Sequence, residues 1–406
     1  ARFPATLPAA SAANLTSIPA GNLTGALPAI SGANLTNLPA SSVTSDAQSN
    51  TVAGTNAGDS FSGTSANNNT LFGYDAGTAI TTGDDNTAIG SLALTSNTTA
   101  SKNTAVGYNS LAANTTGYES TVIGANASKA TTTGRQNVAI GYNCFQANTI
   151  GKENVIIGQN AGYSSTEADE NTFVGQSTGY YNTTGEKNTF IGRKTGQLNT
   201  TGTGNTFIGH KAAQSNTTAD NNTAIGRESL GANTTGDSNV AVGAYALDAN
   251  TTHSHNTAVG YNSLTANNGA EFNTAVGSDS AFSTTTGYSI TAIGKSCMRS
   301  NTTGNNNTAC GVNALYSNTT GYGHAAFGNG AGYNLSAGTY YNTAIGYDTL
   351  KANTTGALNT AIGGFSGETI TTGGNNTCLG YNAQPSSATA SNEVTLGNVN
   401  ISSLRC

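Results

Sequence analysis

The chain has 406 residues, of which only 14 are Lys or Arg and 20 are Asp or Glu, for a net charge of -6. Charge this sparse leaves no basic stripe for nucleic acid, and no apolar run approaches the roughly 20 residues needed to span a bilayer. A composition rich in Gly, Asn, Ser and Thr suggests low-complexity disorder, but a strict period along the chain argues for order.

The chain opens Ala1-Arg2-Phe3 with neither Met nor a signal-like segment, which points to a processed or trimmed start and leaves targeting unread. Residues 1–50 carry Pro-containing repeats: Ile18-Pro19-Ala20, Leu27-Pro28-Ala29 and Leu38-Pro39-Ala40 alternate with Asn14-Leu15-Thr16, Asn22-Leu23-Thr24 and Asn34-Leu35-Thr36. Residues 51–68 form a transition. From 69 to 397 runs a repeat of the form NTA[IV]G…S-L-x-A-N-T-T-G, as in NTAVGYNSLAANTTG from Asn103 to Gly117. Its Gly serves as an anchor. It falls every 17 residues from Gly73 to Gly328 and, after one step of 18, again every 17 from Gly346 to Gly397, giving 20 anchors. Residues 398–406 close the chain.

The residue before the anchor is Ile or Val in 15 of the 20 repeats, and the residue four before it is Asn in 16. A β-branched residue beside a small one and a Gly reads as a very short strand. Two turn-prone stretches, around YN and NTTG, leave room for two or three such strands in one coil of a β-solenoid. The repeated Asn predicts a stacked amide ladder, each side chain bonding to its copies above and below. No proline occurs between Pro39 and Pro385, as expected if strands pair on both edges and need their N–H groups. The fold class is therefore all-β: a β-roll of about twenty coils, each advancing about 4.8 Å, or on the order of 95 Å of rod.

Volumes inside the coil compensate. Ala two before the anchor is usually joined by a large residue four after it, as in Ala105 with Leu111, Ala139 with Phe145 and Ala224 with Leu230. Where the first is large the second shrinks, as in Leu71 with Gly77, Phe173 with Gly179, Phe190 with Gly196 and Phe207 with Ala213. The two positions are expected to share one space, because a close-packed interior tolerates volume-conserving exchange best. Ala361 with Gly367 and Ala275 with Ala281 break the pattern, and Phe365 and Phe282 are the expected fillers. Adjacent apolar residues just before the anchor place one on each face of the strand, so both faces call for burial. A thin coil has only one inside. Either the Ile/Val row, such as Ile191, Ile208 and Ile225, or its neighbours Phe190 and Phe207 must then face another copy of the chain.

These repeats resemble the head repeats of trimeric autotransporter adhesins and, more closely, the repeat shafts of bacteriophage tail fibres. The opening segment is similar to the stem repeats of such fibres. The stretch SNEVTLGNVNISSLRC, from Ser391 to Cys406, is similar to the one that leads into a self-cleaving intramolecular chaperone of the endosialidase type. That chaperone is absent, as after removal or trimming. The 17-residue period departs from the adhesin repeat. The resemblance implies a homotrimeric, fibrous virion appendage outside the cell, joined to other tail or baseplate proteins at its N-terminal side.

Other chemistry is weaker. Cys144 and Cys297 occupy a small-residue slot three after the anchor, Cys310 replaces the Ile/Val and Cys378 the Ala, so they read as packing thiols, with Cys406 at the chain end a separate case. The Asn-Thr-Thr triplets read as turns rather than glycan acceptors. The acids Asp84, Asp85, Glu167, Asp169, Glu170, Glu186 and Asp237 fall at turns with no cleft for paired-carboxylate chemistry, and four His have no catalytic motif around them. The expectation is no enzyme and no cofactor. His253 and His255, two apart, are weak metal candidates near a threefold axis, in the turn where other coils carry Gly117 or Gly236. The expected function is a phage fibre shaft in host attachment, with host surface glycan a further partner and no insertion into membrane. The alternatives are a bacterial trimeric surface adhesin and a Thr-rich ice-binding solenoid, against which stand Tyr108, Tyr142, Arg193, Lys194 and Arg227 just after anchors.

Overall fold

The computed structural model describes residues 43–62, 65–401 and 403; most of the Pro-containing repeats and Cys406 lie outside these. Residues 43–406 belong to one compact unit. Strand β1 (Thr44–Ser45) pairs antiparallel with β2 (Thr51–Ala53). From β2 onward every strand is parallel to the next: β3 (Thr70–Phe72), then β4 to β21 over the three residues before each successive anchor, then β22 (Val394–Leu396). The result is an all-strand β-solenoid. Its stack starts one coil before Gly73, because β2 pairs in register with β3 and Gly54 (φ 131°) takes the anchor conformation.

Each coil holds one three-residue strand, not the two or three expected from its two turn-prone stretches. After the strand the chain alternates left-handed residues. Asn109 and Leu111, two and four after Gly107, have φ of 53° and 50°, so no second extended run forms. The backbone remains satisfied because N–H groups alternate between the coil above and the coil below. Thr104 N–H donates to Ser120 C=O (2.8 Å), Gly107 N–H to Ile89 C=O (2.7 Å) and Leu111 N–H to Ala127 C=O (3.0 Å). This accounts for the lack of proline in the stack before Pro385, which lies in the last coil.

The anchor must be Gly for two reasons. At Gly107 φ is 132°, and a Cβ there would lie 2.6 Å from the carbonyl oxygen of Gly124 in the next coil. Backbone-to-backbone approach at this point sets the coil spacing.

The shared core space is as the paired volumes indicate. Phe173, Phe190 and Phe207 are fully buried and stack ring on ring at 4.8 Å with 5° between planes. A Cβ on Gly196 would stand 2.6 Å from Phe190 Cε2. Phe365 and Phe282 do not fill the exceptions. Both are half-exposed, Phe365 edge-on to Tyr347 and Tyr381, and Phe282 under Arg299. Beside Gly367 the space belongs to Leu350 of the coil before and to Ile370, seven after the anchor, a site that usually holds Asn. Sequence reading missed this third contributor; Ile80 and Leu335 do the same beside Gly77 and Gly332.

The Asn ladder exists, but its main partners are backbone. Asn86 Oδ1 accepts the N–H of Asn103 (3.0 Å), and Asn86 Nδ2 donates to Ala100 C=O (2.9 Å). Direct amide-to-amide bonds in this column are fewer, such as Asn86 Nδ2 to Asn69 Oδ1 at 3.1 Å. A fuller amide ladder runs through the first Asn of the NTT triplets: Asn199 Nδ2 donates to Asn182 Oδ1 and Asn216 Nδ2 to Asn199 Oδ1, both at 2.8 Å. The two columns converge, since Asn188 and Asn199 both donate to Gly202 C=O. Where Thr284 interrupts the second column, Asn267 Oδ1 is left buried without a donor. His324 stands in for Asn in the first. Its Nδ1 accepts Asn342 N–H (3.2 Å), as an amide oxygen would, leaving Nε2 to donate to Thr339 Oγ1 (2.9 Å).

Candidate functional site

The solenoid's own interior uses only one face of each strand. From β3 to β21 the residue two before the anchor is buried, whereas those three and one before it are not. The outward side therefore carries two parallel columns, Thr in most coils and then Ile or Val. Phe190 and Phe207 lie inside, so the apolar row left over is the Ile/Val one: Ile89 is 42% exposed and Ile362 is 40% exposed, against 0% for Phe190. Cys310 and Phe327 continue this row in their coils. In a single chain this stripe extends along the stack, where soluble monomers keep their largest apolar patch to roughly 300–600 Å².

Cys144, Cys297 and Cys378 are buried free thiols. Cys144 Sγ faces Ile156 C=O at 3.1 Å, and burial pushes the Cys144 and Cys297 thiols up to about 12, so neither is a nucleophile near neutral pH. Three of the turn acids, Asp84, Asp169 and Asp237, hold backbone. Asp169 Oδ1 accepts Lys152 N–H (2.8 Å) and Asp237 Oδ1 accepts Asp220 N–H (2.8 Å), each reaching the coil before it. Ser254 Oγ does the same for Asp237 N–H, so any short acceptor serves at this corner. That column was invisible in the sequence because Asp, Ser and Thr interchange there.

His253 and His255 occupy different surroundings. The His255 ring lies flat on Phe272 of the next coil, with centroids 5.5 Å apart, while His253 is half-buried, with Nδ1 lacking a hydrogen-bond partner and its carbonyl accepting from Asn239 and Asn250. Among the described residues no group of three or more His, Cys, Asp and Glu side chains is placed to hold a metal ion. No described helix is long and apolar enough to cross a membrane. The surface depressions are open grooves. One, of about 480 Å³, lies over Tyr118, Arg135, Lys152 and Asp169 along one corner of the stack. No protein-family model matches the chain, and no curated protein matches it in sequence.

Proposed function

We propose that the chain is the coiled shaft of a homotrimeric fibre, in which three copies close their Ile/Val rows around a common axis. The observation that carries this reading is the apolar row itself, repeated at one height in every coil on a solenoid whose own core is already sealed. Three-fold closure buries it, whereas a monomer leaves it in water. The fibre serves as a virion appendage of the phage tail-fibre kind, extracellular, held to other tail or baseplate proteins on its N-terminal side and offering its length to host surface glycan. Sedimentation of the folded chain should return three times the 40.5 kDa chain mass. A stable monomer overturns the proposal.

One observation favours a second reading. Thr and Ile/Val face outward together at 12 of the 21 strands from β2 to β22, a two-column array with one repeat per coil rise of about 4.8 Å. In a monomer such a face could order water, which would make the chain an ice-binding solenoid. Inhibition of ice recrystallisation by a monomeric species would select it, and a trimer without that activity would reject it.

A further inference from the structure

One residue after each anchor, beside the apolar row, runs another column whose members change along the chain. Between the exposed Tyr142 and Tyr261 it holds Gln159, Gln176, Arg193, His210, Arg227 and Ala244 in successive coils. The side chains from Gln159 to His210 form a connected line, while Arg227 lies over the Tyr245 ring. Gln176 Nε2 donates to Gln159 Oε1 (3.2 Å), Arg193 Nε donates to Gln176 Oε1 (3.1 Å), and Arg193 Nη1 is 3.5 Å from His210 Nε2. Lys194 and Lys211 sit next to it at left-handed positions. Four of the chain's 14 Lys and Arg thus fall in three adjacent coils of an acidic protein. Arg227 has a carboxylate nearby, Glu228 at 3.6 Å, but Arg193, Lys194 and Lys211 have none within ion-pair distance among the described residues.

We infer that this column is a lane for a linear anionic glycan, with Arg193, Lys211 and Arg227 meeting its acidic groups, the Gln159 and Gln176 amides its hydroxyls, and Tyr142 and Tyr261 offering ring faces to sugars at either end. The inference rests on the fibre reading, and it fits that reading's geometry. Unpaired cations repeated three times around an axis are costly to bury, so this stretch stays on the outside while the Ile/Val row turns inward. Three successive coils, each rising about 4.8 Å, carry a cation each, Arg193 and Arg227 in the column and Lys211 in the one beside it, an arrangement that suits a chain of repeated charges lying along the stack. Nucleic acid fits less well. Its affinity comes from many phosphate contacts, and here a short cationic stretch is flanked by neutral amides and a net negative chain. A trimer presents three such lanes, so weak single contacts add by avidity.

The test measures binding of the full chain to polygalacturonate, dextran sulfate, uncharged dextran and single-stranded DNA of matched charge. One or both anionic glycans should bind, weakening by roughly ten- to a hundredfold between 50 and 200 mM salt, while uncharged dextran does not. Polygalacturonate alone assigns a carboxylated ligand and dextran sulfate alone a sulfated one. The variant Arg193→Gln/Lys211→Gln/Arg227→Gln should lose at least tenfold, and Lys102→Gln/Lys129→Gln, away from the lane, should lose none. If the triple variant sediments abnormally, Lys211→Gln alone should still weaken binding about threefold. The lane is overturned if neither anionic glycan binds, if DNA binds as tightly as the glycans, or if the lane variants bind like wild type. A trimer that binds no glycan sinks the lane alone, and a monomer that binds glycan through these residues sinks the fibre alone.

Discussion

Two stretches of the solenoid fill the same cross-section from opposite sides. In the coils of Phe173, Phe190 and Phe207 the ring enters from the strand and meets Gly179, Gly196 or Ala213. In the coils of Ala224, Ala241 and Ala258 the strand residue is small, and Leu230, Leu247 or Leu264 enters from the far side. The second solution holds Leu in a left-handed conformation, with φ of 53°, 53° and 50°, a cost of order 1–2 kcal/mol each. The first relieves that cost at Gly179 and Gly196 and adds a continuous ring stack. What the repeat preserves is therefore a volume and a backbone path, with the choice of side chain free so long as both are kept.

That equivalence can be broken at the backbone, where the largest effect is expected. Gly192→Ala in the aromatic stretch and Gly226→Ala in the leucine stretch each put a Cβ at φ near 135°, within 2.6 Å of the next coil's anchor carbonyl. Both should cost about 4 kcal/mol or more per chain in denaturant unfolding. Losses that differ widely between the two would show that the stretches do not share one frame.

A somewhat smaller effect tests the exchange of volumes. Phe190→Ala should cost about 3–5 kcal/mol per chain. Adding Gly196→Leu converts the coil to the other solution, whose left-handed Leu is already tolerated in the neighbouring coils, and should restore part of the loss. If the two changes prove additive in the double-mutant cycle, the positions do not share a space.

The third test sharpens what the two stretches have in common, the Asn column, at the coil where His324 replaces the amide. Burial holds the His324 imidazole down to about 4, from an ordinary value of 6.5. The unfolded chain therefore binds the proton first. The neutral ring's contribution is complete above pH 6.5 and is lost as the pH falls towards 4, a loss of about 3 kcal/mol. His324→Asn should flatten this part of the profile. Equal acid sensitivity of the unfolding midpoint in wild type and variant would rule the His324 contribution out.

The period and the paired volumes were legible in the sequence because a stack of in-register coils projects each column onto every seventeenth residue. The partners of the amides were not. Asn86 donates to a carbonyl 14 residues on, and every residue type supplies a carbonyl. Which apolar row faces outward was readable in principle: the interior residue two before the anchor varies in step with the slot four after it, whereas the Ile/Val row varies with neither. The number of strands was misjudged because alternating left-handed residues such as Asn109 and Leu111 leave no mark that separates them from an extended run. Among the candidate site residues, His253 and His255 were visible as a pair, but the stacking of His255 on Phe272 depends on a neighbour one coil away.

A stack of like coils contains nothing that tells it where to stop. Each parallel edge offers the next strand the same register, so two rods could in principle splice end to end into an indefinite filament. Strand β1 changes that at one end. By folding back antiparallel across β2, it occupies the hydrogen-bonding edge with a strand of the wrong polarity, and an incoming coil finds no template to continue. Two residues, Thr44 and Ser45, thus cover the edge at which the next parallel coil would otherwise dock on β2, and reverse the strand polarity it would meet.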